Sequence, residues 1–184
     1  MAGVSYRGGF VASIEENGII IIRTTNEENI KSRWFPNKPM NGSCIEIASD
    51  NTILAGFNDG FIRCISLDCS KALWEINAHK GGVSCIKSTD YCMLSGGEDC
   101  VVRIWAPKSN KLINQLSVHQ RKVSSVIEDC SSPQIIHSSS IDKSLHSYDM
   151  KTDKKVNFRQ GNNGSITSMI QLKSTGDLGN CDII

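Results

Sequence analysis

The sequence has no apolar run near the roughly 18–20 residues that a bilayer-spanning helix needs; the best stretch, Gly18 to Ile22, is far too short. Met1 to Tyr6 lacks a basic segment followed by an apolar one, so no secretory signal is visible and the expectation is a cytoplasmic protein that does not enter membranes. Charge of one sign is also missing. With a formal net charge of +1, the chain has no global field to draw in nucleic acid. Aromatics make up only 6%, and the basic pairs Arg121-Lys122 and Lys154-Lys155 are short, which argues against a stacking nucleic-acid surface. Eight cysteines are present, but no C-x-x-C and no closely spaced histidine pair, since His137 and His146 are nine apart. That excludes the usual zinc signatures. Cysteines inside apolar runs, such as Cys64, read instead as small hydrophobes in a reducing compartment. G-x-S-x-G, P-loop and dinucleotide fingerprints are absent, so no cofactor and no metal are expected. Ser140-Ile141-Asp142-Lys143 fits S-x-x-K, but the other parts of a Ser–Lys enzyme are missing. Asn41-Gly42-Ser43 and Asn163-Gly164-Ser165 fit a glycosylation pattern and, without a signal, read as turns.

What the sequence does contain is a repeat. Four turns, Glu16-Asn17-Gly18, Asn58-Asp59-Gly60, Glu98-Asp99-Cys100 and Ile141-Asp142-Lys143, are each followed by a strand-like run. Their central residues are 42, 40 and 43 positions apart, the period of a propeller blade. Within the third period, short strands are predicted at 83–88, 91–95, 101–105 and 112–116. The fourth period repeats them at 123–127, 134–138, 144–148 and 155–158, and the second at 44–47, 52–55, 61–65 and 72–76. Four short strands per period with no helical periodicity between them predict an all-β chain. A small twisted sheet cannot bury both of its faces alone, whereas sheets stacked about an axis can.

The third unit reads Ala78-His79, then Ser95-Gly96-Gly97-Glu98-Asp99, then Val102-Arg103-Ile104-Trp105. The fourth reads Val118-His119, then Ser138-Ser139-Ser140-Ile141-Asp142, then Ser144 to Asp149 through Tyr148. These residues resemble the WD40 repeat family, with its Gly-His step, Ser-Gly-Ser-x-Asp segment and Trp-Asp end. The resemblance implies a WD40-type β-propeller, incomplete, with four four-stranded antiparallel blades at about 1–39, 40–78, 79–118 and 119–161 and the start of a fifth at 162–184, following the blade period. It also implies a hydrogen-bonded tetrad of His79, Ser95, Asp99 and Trp105, with His119, Ser138, Asp142 and Tyr148 as a degraded counterpart. Imidazole N–H would donate to the carboxylate, the serine hydroxyl to the other ring nitrogen, and the indole N–H to the hydroxyl oxygen. The pattern thins in the second unit, with Ala55 at the serine position, Ile65 at the tryptophan position and Met40 near the histidine position. The first unit has Ser13, Asn17 and Arg23, and its first strand is poorly visible. A fifth unit begins at Gly164 to Met169 and stops inside its second strand. Propellers of this kind close with about seven blades, within a range of four to eight, so the chain is expected to be a fragment or to receive its remaining blades from elsewhere.

The function implied by the resemblance is a scaffold that holds proteins or peptides at the propeller rim within a multi-protein complex, without catalysis. Such proteins serve in cytoskeletal, ciliary, trafficking and ubiquitin-ligase assemblies. The expected partner face includes Lys80, Glu98, Arg121, Lys122 and Ile141, on loops that a rigid frame would hold. The alternatives are a peptide-reading module with one deep pocket, and a hydrolase on a propeller frame, for which no acid/His constellation is visible.

Overall fold

The structure, a computed structural model, describes residues 2–26, 29–107, 109–160, 164–173 and 181–183. Asn163 of the second glycosylation pattern lies outside the described residues, as does much of the fifth unit. Four antiparallel sheets follow one another along the chain, each with its strands in sequence order. They are β1 (Gly3–Arg7), β2 (Phe10–Ile14), β3 (Ile20–Thr24) and β4 (Ile30–Trp34); β5 (Gly42–Ile47), β6 (Thr52–Phe57), β7 (Phe61–Ser66) and β8 (Ala72–Asn77); β9 (Val83–Ser88), β10 (Met93–Gly97), β11 (Val102–Trp105) and β12 (Leu112–Leu116); and β13 (Val123–Glu128), β14 (Ile135–Ser140), β15 (Ser144–Asp149) and β16 (Lys154–Gln160). A two-stranded sheet, β17 (Gln171–Lys173) with β18 (Cys181–Ile183), completes the described strands. Where the fifth unit was expected to begin, residues 165–170 form no strand among the described residues, although Met169 is buried.

The first strands of the four sheets pack in series, β1 on β5, β5 on β9 and β9 on β13, which is the radial stacking of a propeller. Burial is greatest in the second strands and falls from there to the outermost fourth strands. Every residue of β10 is buried, whereas every residue of β16 is exposed. The apolar core therefore lies between sheets. Ile14, Ile20 and Ile22 of the first sheet meet Ile45, Ile53 and Phe57 of the second. Leu54 and Ile62 of the second meet Val83, Met93 and Trp105 of the third, and Leu94, Val102 and Ile104 of the third meet Val126, Ile136 and Tyr148 of the fourth.

The periodic turn residue has one local task in all four sheets. The Oδ1 atoms of Asn17, Asp59, Asp99 and Asp142 accept the backbone N–H two residues on, from Ile19 at 3.1 Å, Phe61 at 3.0 Å, Val101 at 3.4 Å and Ser144 at 2.9 Å. These are Asx turns, which need a short side-chain acceptor at that point. The next residue is left-handed in each case, at φ 82° for Gly18, 85° for Gly60, 64° for Cys100 and 70° for Lys143.

The ladders also break at repeating places. Ser43, Ser84 and Ser124 are bulged out of their first strands, and the first two reach across to the next sheet. The Ser43 hydroxyl donates to the Val83 carbonyl and the Ser84 hydroxyl to the Val123 carbonyl, each at 2.5 Å. Among the described residues Cys44, Cys64, Cys69, Cys85, Cys92 and Cys100 are free thiols, and Cys64, Cys69 and Cys92 are buried. Burial pushes the Cys92 thiol up from its ordinary value.

Candidate functional site

His79 lies in the connection between the second and third sheets, directly above the β10–β11 turn. Its Nδ1 is 2.8 Å from Asp99 Oδ1 and its Nε2 is 2.8 Å from Ser95 Oγ, while Trp105 Nε1 donates to the same Ser95 oxygen at 2.9 Å. The four residues predicted as a tetrad thus share one hydrogen-bond chain, at the position where β11 crosses β10. With Asp99 Oδ1 at 2.8 Å accepting the His79 proton from Nδ1, Arg103 Nη1, 2.7 Å from that same nitrogen, donates to Asp99 Oδ2 at 2.7 Å and not to the ring. Ser95 then donates to Nε2 and accepts from the indole, so every polar group is satisfied. His79 and Ser95 are buried. Burial holds the imidazole below its ordinary pKa and the Arg103 guanidinium lowers it further, against the opposing pull of Asp99. Burial also works to raise Asp99, but hydrogen bonds from Arg103 and His79 outweigh it and hold the carboxyl below its usual range.

Two glycines are required here. A Cβ on Gly97 would sit 2.3 Å from His79 Nδ1 and 2.7 Å from Asp99 Oδ1. One on Gly60 would sit 2.2 Å from the His79 carbonyl oxygen, which lies against the neighbouring turn. The Gly60 carbonyl accepts from both Ala78 and His79 N–H, so the turn of the second sheet and the connection carrying His79 are tied together.

The fourth sheet departs from this arrangement. His119 Nε2 is 2.8 Å from Ser138 Oγ, as expected of the counterpart, but its Nδ1 is 3.0 Å from Ser144 Oγ and 3.3 Å from Asp142 Oδ2. The Ser144 hydroxyl inserts itself between histidine and carboxylate, donating to Asp142 at 2.5 Å. Burial would raise Asp142, but the Ser144 hydroxyl and the Gln120 and Ser144 backbone N–H groups hold it at about 2. Tyr148 does not join the chain. Its hydroxyl donates to Asp153 and accepts from Asn114 Nδ2 at 3.0 Å, at the outer edge. A phenol carries its hydroxyl at the far end of the ring, not on the flank where indole carries its N–H, so it reaches past Ser138. In the other two sheets, Ser13 donates weakly to the Ile21 carbonyl at 3.5 Å and Ala55 packs in the core.

The five residues expected on the partner face lie on one rim, formed by the connections between sheets and by the β10–β11 and β14–β15 turns. Lys80, Arg121 and Lys122 are exposed there. Glu98 is exposed yet tied down. Its N–H donates to the Gly82 carbonyl at 2.9 Å, its carboxylate accepts the Gly82 N–H at 3.1 Å, and Lys122 Nζ stands 3.8 Å away. Ile141 is half-buried, and its N–H donates to the Lys122 carbonyl at 3.2 Å.

Comparison with known proteins gives three likenesses. The family described as WD40, "WD domain, G-beta repeat", matches residues 70–106, the span from β8 to the end of the Trp105 strand. A WD repeat-containing protein 90 from Xenopus tropicalis is 28% identical over 112 residues, which is 60% of this chain and 6% of that protein. Residues 70–106 thus carry the signature of a WD40 repeat. A chain in a crystal structure of the mitotic checkpoint complex has the same fold, with a TM-score of 0.81 at 19% identity, covering 91% of this chain and 55% of that one. The chain therefore spans only part of the length of the proteins it matches.

Sequence reasoning overlooked a cation four residues after the turn aspartate. Arg63 pairs with Asp59 at 2.9 Å and Arg103 with Asp99 at 2.7 Å. The signal was present as D-x-x-x-R at 59–63 and 99–103. In the fourth sheet the place is taken by His146, whose ring stands edge-on to His119 at 4.8 Å and near Phe158 at 4.6 Å. His146 is buried and its Nδ1 has no partner among the described residues. Burial first, then the neighbouring His119 and Lys155, push it down to about 4. His137 bonds Ser147 at 2.8 Å and Asp129 at 3.0 Å, a structural role in the same sheet.

Proposed function

We propose that this WD40 chain is a protein-interaction scaffold within a multi-protein complex, and that its partner face is the rim carrying Lys80, Arg121 and Lys122. The observation that carries the reading is the way Glu98 and its neighbours brace that rim. Backbone bonds from Glu98 to Gly82 and from Ile141 to Lys122 join turns to connections, so exposed side chains project from a backbone already fixed before binding. Preorganisation lowers the entropy lost on association. Three exposed cations in this region favour a partner segment with acidic side chains, steered by charge complementarity. A cytoplasmic location belongs to the same reading.

The experiment is affinity capture with the tagged chain and with an Arg121→Glu, Lys122→Glu variant. Loss of the same set of captured proteins from the folded variant supports the rim as the partner face. An unchanged set moves the interaction elsewhere.

A further inference from the structure

The strands run antiparallel, so the turns at 48–51 and 89–92, with Pro107 and Asn110 after β11, lie on the rim opposite the one just described. On that opposite rim a cleft of about 220 Å³ opens between the second and third sheets. Its apolar wall comes from Leu54 and Met93, both buried, and from half-buried Trp74. Asp50 and Asp90, both exposed and 40 residues apart at the same place in consecutive blades, stand on its lining. Among the described residues, none that lines the cleft is cationic.

We propose that this cleft is a second binding site, which takes one basic side chain, arginine or lysine, of a partner peptide. Three observations carry the assignment. First, the volume is below the roughly 300–1,000 Å³ of pockets for drug-sized ligands and suits a single side chain. Second, four carboxylates of these sheets have cationic or imidazole partners, Asp59 with Arg63, Asp99 with Arg103, Glu46 with Lys87 and Asp129 with His137, while those facing the cleft do not. Asp50 and Asp90 form no ion pair among the described residues. Asp50 spends Oδ1 on the Thr52 N–H and hydroxyl, at 3.0 and 2.7 Å, and Asp90 accepts no hydrogen bond at all among those residues. Third, the Trp74 indole N–H finds no acceptor among the described residues, so it is available to a peptide carbonyl. A basic side chain fits all three, with its aliphatic stem along Leu54 and Met93, its charge on the two carboxylates, and its head close to an indole that attracts cations. The proposal does not depend on which proteins meet the Lys80 rim.

The test follows the three indole N–H resonances of the nitrogen-15-labelled chain, one each from Trp34, Trp74 and Trp105, assigned with Trp74→Phe. The probes are capped glycine-serine hexapeptides with one central arginine, lysine, citrulline or glutamate. The arginine or lysine peptide is expected to move the Trp74 resonance saturably while Trp34 and Trp105 stay in place, and the citrulline and glutamate peptides are expected to leave all three unmoved. Asp50→Asn with Asp90→Asn keeps the Asx turn at residue 50 and should weaken binding by roughly tenfold or more, or about 1.4 kcal/mol. Arg121→Glu with Lys122→Glu should leave it unchanged, which separates this site from the rim above. No movement with either basic peptide, equal movement with citrulline, or full affinity in the Asp50/Asp90 double variant would each overturn the proposal.

Discussion

Trp105 does two jobs in the third sheet: its indole N–H donates to Ser95, and its ring fills the space between the second and third sheets beside Leu54, Ile62 and Met93. His79 does only the polar half, linking Ser95 to Asp99. The two should therefore differ when truncated. Trp105→Ala is expected to destabilise by about 3–5 kcal/mol, because a large buried side chain leaves a cavity. His79→Ala is expected to cost about 1–3 kcal/mol, the penalty for leaving buried polar partners unpaired, and Arg103 still covers Asp99. Urea unfolding of both variants checks the order; near-equal, negligible losses would show that the tetrad contributes nothing to stability. At this scale the sequence was readable where a residue type has one geometric use. Asp99 and Asp142 could be picked out because an Asx turn demands a short acceptor at that point. Tyr148 was misleading, since an aromatic in the right register says nothing about where its polar atom points. Arg103 and His146 were overlooked because their role depends on what the turn aspartate lacks.

At the scale of strands, the period was legible because each third strand is preceded by an Asx turn that needs a short acceptor, so Asn17, Asp59, Asp99 and Asp142 recur at blade spacing. β1 was hard to see for a physical reason. Its alternation is inverted, with Ser5 buried and Val4 and Tyr6 exposed, and the buried Ser5 hydroxyl accepts the Ile47 N–H at 3.0 Å. The inter-sheet ties at Ser43 and Ser84 carry no hydrophobic signature and could not be read from composition. They are nonetheless what links one first strand to the next. Removing one hydroxyl leaves a part-buried carbonyl without its donor, so Ser84→Ala should cost about 0.5–1.5 kcal/mol. Because the donor and the acceptor lie in different sheets, the loss should also speed amide exchange in β9 and in β13, where an effect confined to one sheet would speed only one. Hydrogen exchange read by mass spectrometry decides between them, and an unchanged β13 would argue that the sheets are held by apolar packing alone.

For the molecule as a whole, the buried histidines set the acid limit of stability. His79, His119 and His146 are all held below the ordinary imidazole value, first by burial, with His146 down at about 4. The unfolded chain then takes up protons near pH 6.5 that the folded chain refuses, so the folded state loses ground as pH falls from 6.5 toward 4. Each such group contributes a slope of at most about 1.4 kcal/mol per pH unit in that window. The carboxylates add a second, lower window. Asp99 is held below its usual value, and Asp142 at about 2, so the stability they lend is intact above about pH 4 and is lost as pH drops toward 2. Both effects have the same sign but occupy different ranges, which predicts a melting temperature that falls in two stages on acidification. Scanning calorimetry between pH 7.5 and 3 tests this, and His146→Phe isolates one contributor. That variant removes a buried imidazole whose Nδ1 is unpartnered among the described residues, and it should flatten the upper stage while leaving the lower one in place. A melting temperature level from pH 7 to 5 would mean that the imidazoles charge as freely in the folded chain as in the unfolded one, and that the spaces between the sheets admit water to them.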